Sequence, residues 1–325
     1  MLRHTRQPAG RPTPSAQQTG TSFIPAGSRE EGPEPTADAS RGLSRRPSSP
    51  PDGWLRHHRL RGLPTLPGSL IAELAAEHVT RDHPATAMTA WHALDFHRPV
   101  TARENGAQSV YRIRDAGSRQ AGLETVELIG DVTTPDGRVL QRGVVHARLS
   151  VAHQPLIPTP PDVPVAPDHG SGQPGTPVFY HPRCPIHLSG LVASLAELRT
   201  WQGGATARFH PEIGTWNGRF AACRLPVLLI DALTQLALLT DGRSAAPDAA
   251  PGTARVPTAI DRVELFTPDN DTGLLSRYGG AGITLGARTG HNQAEADAWA
   301  AAPDGSVLAR VIGVRAAPAV GGTGQ

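Results

Sequence analysis

Hydrophobic and polar positions follow the same succession of periods twice along this chain. From residue 69 the run SLIAELAAEHV is apolar at helical spacing, and it is followed by WHALDFHRPV (91–100), SVYRIRDA (109–116), LETVELIGDVTT (123–134) and RVLQRGVVHARLSV (138–151), which alternate as strands do. The last two are separated by Pro135-Asp136-Gly137, a turn sequence. Further on, the strand-like GGATARFHP (203–211) precedes the apolar run LPVLLIDALTQLALL (225–239). Four more strand-like runs follow: AIDRVELFTP, AGITLGART, AEADAWAAA and VLARVIGVRAA, the last two again joined through Pro-Asp-Gly at 303–305. One long helix and then four strands, repeated, predicts an α+β duplication in which an antiparallel sheet wraps each central helix. Both helices are apolar almost all round, as enclosed helices must be.

Composition sets the limits of these two halves. Residues 1–50 are dominated by Pro, Gly, Ser, Thr, Arg and Glu and are expected to be disordered, because they bury too little to offset chain entropy. A second proline-rich stretch, 154–177, reads as a stiff linker. The halves therefore run over 51–153 and 178–318, with a flexible tail at 319–325. All 31 basic residues are arginine and the net charge is +2, too small and too dispersed for a nucleic-acid surface. Cys184 and Cys223 lack metal-ligand spacing and do not make a disulfide framework, which suits a reducing cytoplasm. The opening MLRHTRQPAG lacks the apolar core of a signal peptide, and no run is long enough for a membrane span, so a soluble cytoplasmic protein is expected.

Two motifs stand at the two helices. His58, Gly62 and Pro67 fit HxxxGxxxxP just before the first, and Asp231 with Gln235 fits DxxxQ on the second. Together with Trp54, Leu55, the Pro67-Gly68 step and the ELA at 73–75, these residues resemble the dehydratase domains of modular polyketide synthases, over about residues 52–318. The resemblance implies a double hot-dog fold, each half a sheet wrapped round a helix, in agreement with the repeat. Two details depart from the family: LPVLLIDAL stands where HPALLDAAL is usual, and RGLSRRPSSPPDG is a poor candidate for the family's first strand.

What the resemblance implies can be put in chemical terms. Dehydrating a β-hydroxyacyl thioester needs a base for the α-proton and an acid for the departing hydroxyl. His58 is the expected base and Asp231 the expected acid, the latter because Leu228, Leu229, Ile230, Leu233 and Leu236 surround it with apolar groups that disfavour its charged form. Gln235, at i+4, is placed to bond the Asp231 carboxyl. The Gly68 N–H at the helix start is an expected donor to the thioester oxygen as negative charge develops there. Tyr180, in FYHPRCPIHLSG (179–190), is the candidate to hold the substrate hydroxyl; Tyr180, Pro182 and Cys184 fit the family's loop in one register, His187 and Gly190 in another. Gly62 and Pro67 are assigned structural roles, and Glu73 is read as a structural relic. The histidines at 57, 58, 78, 83, 92 and 97 match no zinc spacing, so no metal site is expected.

The expected function is a free-standing dehydratase without a cofactor of its own, since the chain starts at methionine and shows no ketosynthase, reductase or carrier motif. Its substrate would ride on the phosphopantetheine of an acyl carrier protein or polyketide synthase. A cyclase working by oxa-Michael addition, a double-bond isomerase and a non-catalytic carrier-binding protein are the alternatives. A homodimer is possible but not required, because a double hot-dog completes its site in one chain.

Overall fold

A computed structural model describes residues 44–45, 50–101, 111–120, 122–134, 138–162, 172–214, 217–240, 254–279, 282–290, 292 and 294–319. The first half comprises β1 (Ser44–Arg45), a 3-10 turn over Pro50–His57, β2 (His58–Leu60), β3 (Leu63–Pro64), helix α1 (Gly68–Asp82), and strands β4 (Ala87–Phe96), β5 (Tyr111–Gln120), β6 (Leu123–Thr133) and β7 (Val139–Gln154). The second comprises β8 (Gln173–Pro174), β9 (Ile186–Leu188), β10 (Leu195–Trp201), β11 (Gly204–Phe209), helices α2 (Asn217–Ala221) and α3 (Val227–Ala237), β12 (Arg255–Leu265), α4 (Asp271–Tyr278), β13 (Ile283–Thr289), β14 (Glu295–Ala301) and β15 (Val307–Pro318). The Pro135-Asp136-Gly137 turn, most of segment 1–50, residues 163–171 of the linker and 320–325 of the tail lie outside the described residues.

In each half the strand after the helix lies at the seam, with the last strand of the unit beside it. The order is β1-β5-β6-β7-β4 in the first half and β12-β15-β14-β13-β11-β10-β8 in the second, and β4 pairs antiparallel with β12 through Leu94↔Ile260 and Trp91↔Val263. The two sheets are thus continuous, a twelve-stranded surface among the described residues that curls round both helices. Joining the halves edge to edge satisfies the backbone groups that two separate sheets would leave open at β4 and β12.

Both helices face inward for the reason their sequences predict. Along α3 every residue from Val227 to Ala237 is buried except Thr234, and α1 buries Leu70, Ile71, Leu74, Ala75, Ala76 and Val79. Helix α1 stops before His83-Pro84, because a residue preceding proline is displaced from helical geometry; His83 sits at φ −128°, ψ 62°. Trp54 and Leu55, in the 3-10 turn, are 1% and 2% exposed, and Trp54 packs on Phe220 with ring centroids 5.5 Å apart.

Some elements escaped the sequence reading. Strand β10 was not expected, although it forms a hairpin with β11, and β9 pairs with β2 rather than with its own half. Ser44–Arg45, within the segment expected to be disordered, forms a two-residue ladder with Tyr111 and Arg112. Such a ladder uses only backbone groups, so composition gives little sign of it.

Candidate active site

The spacing from His58 to Pro67 is the length of a hairpin. Strand β2 turns back at Arg61 and Gly62, with φ of 52° and 79°, and β3 returns so that Thr65 stands opposite His58. Gly62 belongs there because that left-handed geometry penalises a Cβ. The Thr65 N–H donates to the His58 carbonyl at 2.8 Å, and the Thr65 carbonyl accepts from His58 Nδ1, also at 2.8 Å. A carbonyl only accepts, so Nδ1 carries the proton and Nε2 of the neutral ring keeps its lone pair. Backbone pairing with β9, His58↔Leu188, fixes this hairpin against the second half.

Asp231 lies on the first turns of α3, 9% exposed, and one of its oxygens, Oδ2, accepts from Gln235 Nε2 at 2.8 Å. The same Nε2 donates to the Val192 carbonyl at 2.8 Å, while Gln235 Oε1 accepts from the Tyr180 hydroxyl at 2.9 Å. That hydroxyl accepts in turn from the Leu195 N–H at 3.0 Å. A chain of bonds therefore runs from the backbone at Leu195 to Asp231 and fixes the carboxyl's rotamer. Burial raises the Asp231 pKa above the usual aspartate range, against the opposing influence of His58 and the Gln235 hydrogen bond.

His58 and Asp231, from opposite halves, line one cavity of about 190 Å³. Most of its wall is apolar, with Leu60, Leu66, Ile71, Phe96, Ile186 and Ile260 among the lining residues. Gly68 lines it too, as the first residue of α1, and Pro67 stands one place before the helix with φ −69° and ψ 154° rather than in its first turn. The first intrahelical amides to find partners are those of Leu70 and Ile71, both bonding the Pro67 carbonyl, which leaves the Gly68 and Ser69 N–H groups without helical partners. Ser69 Oγ, buried on the same wall, also has no protein partner. A Cβ on Gly68 would stand 2.5 Å from Phe96 Cζ, so glycine is what lets the helix end and Phe96 share the wall.

Two more buried carboxylates hold the approach to α3. Glu73 accepts from the Arg224 and Leu225 N–H groups, each at 2.9 Å, and Asp271 accepts from the Leu228 and Leu229 N–H groups at 2.9 and 3.0 Å. Asp271 thereby caps α3 from another element, since the helix has no side-chain cap of its own. Burial pushes both carboxyls up to about 7, and Glu73 contributes to the rise at Asp271.

Of the residues singled out from sequence, His58, Gly68, Pro67 and Asp231 meet at the cavity, and Gly62 shapes the turn that leads to it. Gln235 bonds the Asp231 carboxyl, as its i+4 spacing implies; neither it nor Tyr180, the candidate to hold the substrate hydroxyl, is among the residues lining the cavity. Three of Gln235's hydrogen-bonding positions and the Tyr180 hydroxyl are occupied by protein partners, so both support Asp231 from behind. Asp271, the Thr65 carbonyl and Phe96 were missed; a cap supplied from 40 residues away leaves no local pattern. Among the described residues the one group of three side chains able to hold a metal ion, His83, Glu124 and His153, stands away from this cavity.

Comparison with known proteins bears on the fold. Residues 194–324 match the family described as "Polyketide synthase dehydratase N-terminal domain". No curated protein matches the chain. Among solved structures, the dehydratase domain from the CurF module of the curacin polyketide synthase aligns with a TM-score of 0.66 at 14% identity, covering 85% of this chain and 92% of that one. The domain from the CurK module gives 0.65 at 15%, covering 85% and 91%. The domain of a mycocerosic acid synthase-like polyketide synthase gives 0.59 at 16%, covering 81% and 86%. Two further CurK structures are of inactive mutants, one with an aspartate replaced by asparagine and one with a histidine replaced by phenylalanine. The chain thus carries the double hot-dog fold of polyketide synthase dehydratase domains, and its residues 194–324 match that family.

Proposed function

We propose that this protein is a hydro-lyase that converts a β-hydroxyacyl chain on an acyl carrier protein into the α,β-unsaturated thioester, as a dehydratase of polyketide biosynthesis. The observation that carries the proposal is the meeting, in one apolar cavity, of a histidine with its Nε2 lone pair free and a buried carboxyl biased toward its protonated form. His58 Nε2 takes the α-proton, and the electron pair left behind moves onto the thioester carbonyl, whose oxygen is met by the Gly68 N–H. As the pair returns to form the Cα–Cβ double bond, the Cβ–O bond breaks and Asp231 gives its proton to the departing hydroxyl, which leaves as water. Asp231 is then ionised and His58 protonated, and proton exchange resets both.

The CurK mutants support these assignments by type, since an aspartate and a histidine are the residues whose replacement inactivates that enzyme. The reaction calls for no cofactor beyond the phosphopantetheine that tethers the substrate. Cys184 and Cys223, neither of them in a disulfide, fit the cytoplasmic setting in which such carriers work.

Intact-mass spectrometry of a carrier protein loaded with a model β-hydroxyacyl chain tests the proposal. Loss of one water on incubation with the protein is the expected result. A product of unchanged mass but altered chromatography would point to ring closure or isomerisation, and an unaltered substrate would count against catalysis.

A further inference from the structure

At the far end of α1 from the cavity, three side chains from three elements converge. His83 follows the helix, Glu124 lies on β6 and His153 on β7. One ligand atom from each lies within 4.8 Å of those of the other two, with His83 Nε2 at 2.6 Å and His153 Nε2 at 3.7 Å from the same Glu124 oxygen, Oε1. The two imidazoles stack with centroids 4.4 Å apart and planes 25° from parallel. The Glu124 carboxylate is buried, at 7% exposure, the His153 ring is 10% exposed and His83 is 36% exposed, so the group opens to solvent on one side.

The hydrogen bonds behind His153 settle which of its nitrogens carries the proton. The Thr86 hydroxyl donates to the His83 carbonyl at 2.9 Å, so its oxygen must accept from His153 Nδ1, 3.3 Å away. With its proton on Nδ1, His153 turns the lone pair of Nε2 toward Glu124 Oε1, the oxygen that His83 Nε2 also contacts, across the paired strands β6 and β7. A bound cation accommodates both atoms without a proton. The Thr86 contact is also the partner that metal-bound imidazoles need: a ring N–H held on the side away from the ion fixes tautomer and orientation.

We propose that His83, Glu124 and His153 form a binding site for a divalent transition-metal ion of the zinc class, with a fourth position open to water. Two imidazole nitrogens and one carboxylate suit zinc and its neighbours better than magnesium or calcium, which prefer all-oxygen ligands. The fifteen residues of α1, at about 1.5 Å each, put the site roughly 20 Å from Gly68, too far to take part in the chemistry there. Its effect is mechanical: one ion ties the C-terminal end of α1 to the β6–β7 ladder. His83 and His153 stand 70 residues apart, and neither spacing nor local motif announces them in the sequence.

The test is zinc binding by the untagged, full-length chain after dialysis against EDTA, read by competition with a zinc-binding chromophore and by the absorption of the cobalt(II)-substituted protein. One ion per chain is expected, with a melting temperature that rises with zinc concentration. Glu124→Gln and His83→Ala should each weaken binding by at least about 100-fold, while His58→Ala leaves it unchanged. His83 is part-exposed at a helix end, so its variant keeps the fold even if that at Glu124 does not, and circular dichroism checks both. Binding that survives His83→Ala undiminished, or a parent chain that holds no more zinc than the His83→Ala, Glu124→Gln double variant, overturns the proposal. Dehydration should proceed equally with and without zinc; loss of activity with the ion would refute the mechanical role.

Discussion

Replacing Glu73 by glutamine isolates the cost of holding a carboxylate inside the helix pair. Glu73 is 0% exposed and its two oxygens accept from successive backbone amides, yet burial still raises its pKa from 4.5 to about 7. A raised folded-state pKa means that folding favours the neutral acid. Its stabilising contribution is complete below about 4.5, the unfolded value, and is lost as the pH rises through about 7. A rise from 4.5 to about 7, at about 1.4 kcal/mol per unit, amounts to about 3 kcal/mol. Glutamine resembles the neutral acid and does not titrate. At pH 5 the variant should be no more than about 1–3 kcal/mol less stable than the parent, the cost of one imperfect bond to Arg224 or Leu225. Part of the carboxyl's contribution is already lost at pH 5, above the unfolded value, so between pH 5 and pH 8 the balance should move by about 2–3 kcal/mol in the variant's favour. Urea unfolding at both pH values measures the difference. A difference that does not change with pH, or one that moves toward the parent at pH 8, would show that the two amides outweigh burial and that the reasoning is wrong.

Asp231→Asn and His58→Ala should each lower turnover of a β-hydroxyacyl carrier by at least about 100-fold while the melting temperature and carrier binding hold, as chromatographic and calorimetric assays would show; nearly full activity in Asp231→Asn would put the acid elsewhere. With Asp231 raised by burial, the parent's turnover should fall on the alkaline side as this carboxyl ionises, a limb that a pH–rate profile would detect. Gly68→Ala sets a methyl 2.5 Å from Phe96 Cζ and should cost about 1–3 kcal/mol of stability and raise KM; Phe96→Leu in the same chain should recover the stability, and no recovery would mean the strain lies in the backbone. Tyr180→Phe leaves Leu195 N–H and Gln235 Oε1 without their shared partner and should cost about 1–3 kcal/mol in denaturant unfolding, but less activity than Asp231→Asn.

Most of the architecture was legible because it rests on periodicity. The apolar runs at 69–79 and 225–239 had to be enclosed, and the alternating runs after them had to be half-buried strands. The meeting of His58 with Asp231 came from the motif resemblance rather than from pattern. Strand β9 was hidden because IHL is too short to show a period and pairs across the two halves. Gln235's bond to Asp231 was legible from the i+4 spacing, but its other partners and those of Tyr180 were not: residue type shows what a side chain can bond, whereas only packing shows that Val192 and Leu195 take up the remaining positions. Asp271 was invisible, because the amides it satisfies lie 42 and 43 residues earlier in the chain.

Duplication endows the molecule with two inward-facing helix mouths, and Asp271 plugs one of them. At α1 the amides of Gly68 and Ser69 remain on offer to a ligand, while at the start of α3 the Val227 N–H bonds the Leu225 carbonyl and those of Leu228 and Leu229 bond the buried Asp271 carboxyl. A twofold scaffold is in this way made one-sided: under the proposed function an incoming acyl oxygen would find a single electropositive berth, with the base from the first unit and the acid from the second. The plug also leaves α3 free to present the Asp231 carboxyl to the cavity from its flank, its end amides being occupied.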